Sequence, residues 1–185
     1  MNIEKILLIS FSLLLVNPFL YWEDLSKQEQ DKITHYEMSN EYIYDFLKDR
    51  LKIEDSNQTR ALLNILSDLP PDKTKKAFYF YLYNQICQKA DGATSEILGL
   101  NCQNIILKDT EYVLFYFKTH TALLKVYAQF LGTEFFFKED GASELKYTFK
   151  DFKSILNEKL KDKPEYESIL TLFYKEIELY MKEME

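Results

Sequence analysis

Residues able to do chemistry are few and scattered in this chain. The densest group is Asp91-Gly92-Ala93-Thr94-Ser95-Glu96, where two carboxylates and two hydroxyls fall close together. A carboxylate pair can work as general acid and base or hold a cation, so Asp91, Ser95 and Glu96 are the candidate binding residues. The same types also suit a helix start: Asp caps the first turn, Glu complements its positive end, and Gly92 closes the preceding element. Capping accounts for both carboxylates and the glycine, so no residue is assigned a catalytic role. Thr94 and Ser95 have no histidine nearby and stand in no Gly-x-Ser-x-Gly elbow, so they read as caps and not as nucleophiles.

The remaining reactive types are sparse. His35 and His120 are the only histidines, and they lack the paired spacing of a zinc site. Neither a metal nor a cofactor is expected. Cys87 and Cys102 are the only cysteines, an even number that raises the question of a disulfide. If the segments carrying them pack as a tight helical hairpin, Cys87 stands near the turn and Cys102 well beyond it. The axial offset is then about 10 Å at roughly 1.5 Å per residue, against a limit of about 7 Å between bridged α-carbons. Two buried free thiols are the expectation, with a disulfide as the alternative if the helices cross steeply.

The formal net charge is −7, and acidic and basic residues are mixed along the chain. Nucleic acid is excluded as a partner, because phosphate binding calls for a basic stripe. Only Arg50 and Arg60 are arginines among 23 basic residues, which argues against bidentate recognition of phosphate or carboxylate.

Address information is concentrated at the N-terminus. The apolar run Ile6 to Val16 follows Lys5 and gives way to Glu23 and Asp24, the layout of a signal peptide or signal anchor. The small residues that precede a cleavage site are missing after Val16, and Pro18 obstructs a cut after Asn17. Counted to Trp22, the segment spans about 25 Å as a helix, marginal against a hydrocarbon core of roughly 30 Å. Tyr21 and Trp22 are then expected at the membrane interface. Residues 1–22 are therefore read as a signal peptide or N-terminal signal anchor, and residues 23–185 as one helical domain long enough to bury a core. A buried N-terminal core helix is the alternative. Membrane contact is expected only through this segment.

Four glycines and four prolines are too few to punctuate a many-stranded sheet. The fold class is all-α, an irregular multi-helix bundle or a stack of antiparallel helix pairs, with one short hairpin allowed. Tyr166, Leu170, Phe173, Ile177, Tyr180 and Met184 are spaced alternately four and three apart, and predict a helix from about Pro164 to Lys182. Further apolar stripes cover Met38 to Leu47 and Leu62 to Leu69. Helices are predicted over Pro71–Lys89, covered on both sides, and over Ala93–Lys108, Thr110–Lys118, Thr121–Leu131 and Phe149–Leu160. The aromatic runs Tyr112–Phe117 and Thr133–Phe137 are the places where strands could pair instead. A short similarity links the segment starting at Asp91 with Asp140-Gly141-Ala142-Ser143-Glu144-Leu145, but its flanks differ and capping chemistry accounts for it without a repeat.

Aromatic residues make up 16% of the chain, more than a helical core of this size needs, so some are expected on the surface, either as tyrosines lining the core edge with their hydroxyls in water or as partner anchors. Together these features describe an exported, periplasmic or membrane-anchored binding protein without enzymatic activity, such as an inhibitor, immunity-type protein or adaptor with a protein partner. The alternative is a small helical hydrolase acting on envelope polymers through a carboxylate pair, built from Asp91, Glu96, Glu134 or Glu144.

Overall fold

Nine α-helices make up the described part of the chain, which is 76% helical and without strands, against about a third helix in an average globular protein. The computed structural model describes residues 18–90, 92–139, 141, 143 and 145–184; the side chains of residues 92, 93, 95, 96 and 139 lie outside the description. In chain order the helices are α1 (Lys27–Glu37), α2 (Glu41–Leu47), α3 (Asn57–Ser67), α4 (Lys73–Lys89), α5 (Gly92–Lys108), α6 (Thr110–Phe117), α7 (Thr121–Glu139), α8 (Phe149–Leu160) and α9 (Glu167–Glu183). No described helix is long and apolar enough to cross a membrane.

Local chemistry sets the boundaries. Asp72 Oδ1 accepts from the Lys75 N–H at 2.8 Å and starts α4 just after the Pro70-Pro71 pair. Thr148 and Asp151 form a capping box on α8, and Pro164 opens the 3-10 turn that leads into α9, where its missing N–H costs nothing. The predicted seam closes over its first part: Tyr166, in the turn before α9, and Leu170, Phe173 and Ile177 are buried, whereas Tyr180 is half-buried and Met184 is exposed.

Helix α7 is central, packing on α9 along one side and on α5 and α4 along others. Its approach to α9 depends on Gly132, where an added Cβ would stand 2.8 Å from Tyr180 Cβ and 3.0 Å from the Ile177 carbonyl oxygen. Helix α4 is covered on both sides, as predicted, with Phe78, Tyr79, Phe80, Leu82 and Tyr83 all buried.

Two expectations are corrected, and a third holds for a different reason. The allowed hairpin is absent: Tyr112–Phe117 lies in α6, and Thr133–Phe137 continues α7 eight residues beyond Leu131, to Glu139. Their aromatic rings find partners on several sides, Phe117 against Tyr127 and Phe173, and Phe135 against Phe149 and Phe152. Cover from neighbouring helices thus outweighs the aromatic preference for strands.

Secondly, Tyr21 does not stand at a membrane interface but in the protein core. Residues Phe19 to Asp24 form a strap laid along α4 and α6. Tyr21 is buried between Tyr112 and Tyr116, each with its ring centroid 4.7 Å away. Its hydroxyl donates to the Tyr112 carbonyl at 2.8 Å, and the Tyr112 hydroxyl donates back to the Leu20 carbonyl at 3.0 Å. Trp22 is half-buried and stacks on Tyr81 with centroids 5.3 Å apart.

Thirdly, Cys87 and Cys102 are buried free thiols, as expected, but not because they are far apart. Helices α4 and α5 do not pair as a tight hairpin, since α3 packs against both. Tyr83 is one turn from Cys87 and places its hydroxyl 3.2 Å from Cys102 Sγ. Burial, together with the neighbouring Cys102, pushes the Cys87 thiol well above its ordinary pKa, which keeps it protonated and unreactive.

Candidate functional site

Asp91, the first of the sequence-selected residues, lies outside the described residues, as do the side chains of Ser95 and Glu96; the backbone makes Ser95 the fourth residue of α5 and Glu96 the fifth, so Glu96 falls past the first turn expected of it. Thr94 beside them is buried. The similar segment near Asp140 does not open an equivalent helix: Gly141, with φ of 76°, sits in the connection from α7 to α8, whereas Gly92 begins α5.

Of the other carboxylates considered, Glu144 lies outside the described residues and Glu134 is buried on α7. Glu134 accepts a hydrogen bond from Ser143 Oγ, and that oxygen accepts from the Leu145 N–H at 3.1 Å. Its stem crosses α5 at Gly99, where an added Cβ would meet Glu134 Cγ at 2.1 Å. This arrangement ties the α7–α8 connection to the core.

The histidines stand apart. His35 is exposed near the end of α1, while His120 stacks on Tyr116 with centroids 3.8 Å apart. Among the described residues no group of three or more His, Cys, Asp or Glu side chains could hold a metal ion.

A surface groove lies where no candidate was placed in the sequence, between α1 and the start of α4. It is an open groove of about 410 Å³ with Ile33 and Tyr36 along one side, Asp72 and Lys75 along the other, and Glu29 and Lys32 at the rim. Tyr36 is 71% exposed, whereas most large apolar side chains are packed inside. The expected surplus of surface aromatics thus comes down to Tyr36 among the described aromatic residues, because the rest line the core and its edge.

A buried carboxylate underlies the groove. Glu37 is 4% exposed and accepts from the Tyr79 hydroxyl at 2.8 Å with one oxygen, while the other lies 3.1 Å from Lys75 Nζ. This cluster pins α1 to α4. Burial, then the bond to Glu37, pushes the Tyr79 hydroxyl above its ordinary pKa. At Lys75 burial works downward, but bonds to Glu37 and Tyr79 outweigh it and the net shift is upward. At neutral pH the phenol therefore stays protonated and the amine charged, so neither is a nucleophile. At the opposite wall, the Lys75 N–H and the Thr74 hydroxyl hold the Asp72 carboxyl below the usual range.

The groove was missed because α1 was missed. Its sequence is polar and shows no strong apolar stripe, yet one signal was legible: Ser26-Lys27-Gln28-Glu29 matches a capping box. In the structure the Ser26 N–H donates to Glu29 Oε2 at 2.9 Å and the Glu29 N–H donates to Ser26 Oγ at 3.3 Å.

Comparison with protein-family models, with curated proteins and with solved structures finds no match to this chain.

Proposed function

We propose that this chain is an exported binding protein without enzymatic activity that engages a protein partner through the groove between α1 and α4, with Tyr36 as its anchor. The observation that carries the reading is the exposure of Tyr36 beside an apolar cleft rimmed by charges of both signs. A tyrosine offers large contact area at small entropic cost, and a charged rim around an apolar centre is the usual layout of a protein contact. The Tyr79, Glu37 and Lys75 cluster holds the floor rigid, so little ordering is needed when a partner binds. Export is supported by the Ile6 to Val16 run after Lys5.

A photo-crosslinking residue at position 36 of the full-length protein, compared with one at exposed Lys161, which does not line the groove, tests the contact in intact cells. Position 36 should give a discrete protein adduct that weakens when Lys32 and Asp72 are changed to alanine. Equal, diffuse labelling at both positions refutes the contact face. Loss of an activity on envelope polymers in Glu134→Gln would move the hydrolase to the front. For the address, residues 1–30 fused to a reporter active only outside the cytoplasm should give signal, and deletion of Ile6 to Val16 should abolish it.

A further inference from the structure

The seating of the strap bears on where the chain can be processed. Ordinary leader logic would place the boundary at the end of the aromatic segment, near Trp22. That cut would remove Tyr21, which is buried to the same degree as the helical core and closes the space between Phe80, Tyr112 and Tyr116. It would also take away Leu20, whose carbonyl accepts from Tyr112, and Phe19, which meets Tyr112 and Phe115 edge-on at 5.6 and 5.5 Å. Trp22, against Phe78 and Tyr81, would go with them. Just beyond the cut, Glu23 Oε1 accepts from Tyr116 and Asp24 Oδ2 accepts from the Tyr21 N–H at 2.9 Å. Every residue from Phe19 to Asp24 thus contributes a ring, a hydrogen bond or both to one continuous contact.

We infer that the strap belongs to the folded, exported form and that processing is confined to the N-terminal side of Phe19. This rests on the export reading above and moves its boundary from residue 22 to residue 18 or earlier. It also shortens the segment left for a membrane. The apolar run then ends at Val16, and as a helix would reach about 16 Å, well short of a hydrocarbon core of roughly 30 Å and within the length of a signal-peptide centre.

Two measurements on the full chain test this. The first is the intact mass of the protein recovered from outside the cytoplasm, which should correspond to a first residue at or before Phe19. A chain beginning at Leu20 or later overturns the inference. The second is brief digestion of the native protein with chymotrypsin, for which Phe19, Leu20, Tyr21 and Trp22 present consecutive preferred sites. Cleavage there should be at least about tenfold slower than in Tyr21→Ala, because it requires the strap to open. If Tyr21→Ala does not fold, Tyr21→Phe serves, since it keeps the ring and removes only the bond to the Tyr112 carbonyl; it should fall between the other two. Rapid cutting within the strap of the unaltered protein overturns the inference. A full-length protein found only in the cytosol with its strap protected would sink the export reading and leave the strap upheld, so the two failures are distinguishable.

Discussion

Replacing Gly99 with alanine tests how the α7–α8 connection is held to the core. A Cβ at this position would lie 2.1 Å from Glu134 Cγ and 3.0 Å from both Glu134 Cβ and the Phe130 carbonyl oxygen. Glu134 is buried and bound by Ser143, so its stem cannot swing freely into solvent. Two effects oppose each other. Alanine is favoured over glycine inside a helix by about 0.8–1 kcal/mol, whereas overpacking a filled site costs about 1–3 kcal/mol. The net loss in the single variant is then about 0–2 kcal/mol, too close to zero to be diagnostic. The coupling is the sharper quantity. In a Glu134→Ala background Cγ is gone and only the 3.0 Å contacts remain. There Gly99→Ala should cost about 1–2 kcal/mol less than it does in the unaltered chain, inside the range of about 0.5–3 kcal/mol found for touching pairs. Urea unfolding of the four chains, followed by helical circular dichroism, gives the cycle directly, provided the denaturant slope is unchanged. Free energies additive within about 0.5 kcal/mol would refute the crossing of Glu134 over Gly99.

Two further outcomes are expected. Burial raises the pKa values of the Tyr21, Tyr112, Tyr116 and Tyr174 hydroxyls, and that of Tyr166 is pushed up to about 12. Above the unfolded tyrosine value of about 10 the unfolded chain holds fewer protons than the folded one, so stability is intact below that pH and falls as pH rises further. Tyrosinate absorbance and helicity should therefore change together; ionisation of all tyrosines near pH 10 with the helices intact would be the contrary result. Phe173→Asp places a charge where the ring is fully buried against Phe117 and should cost on the order of 4 kcal/mol or more, measured by urea midpoint; a loss under about 1 kcal/mol would mean that the seam is not closed.

Helix chemistry in this chain is local, and so it is legible without the fold. The seam through Leu170, Phe173 and Ile177 depends on residues a few positions apart, and scarce glycine and proline favour helix throughout; the structure agrees with both, while α4 starts at Lys73 behind its Asp72 cap, two residues after the expected Pro71. Helix α1 was legible only as the Ser26–Glu29 box, because a polar helix announces itself at its cap and not along its face. The tertiary structure alone decided the rest. Whether Tyr112–Phe117 and Thr133–Phe137 coil or extend depends on what covers their second side, and neighbouring helices supply that cover. Tyr21 reads as membrane-facing in sequence, since an apolar ring carrying a hydroxyl suits a bilayer interface and a protein core edge equally well. Its acceptor, the Tyr112 carbonyl, lies 91 residues away. The need for Gly99 comes from Glu134 on another helix, and the contact between Tyr79 and Glu37 joins residues 42 positions apart. Periodicity and capping determine which segments coil; which side chains then meet is set by close packing between distant segments, and that exists only once the chain has folded.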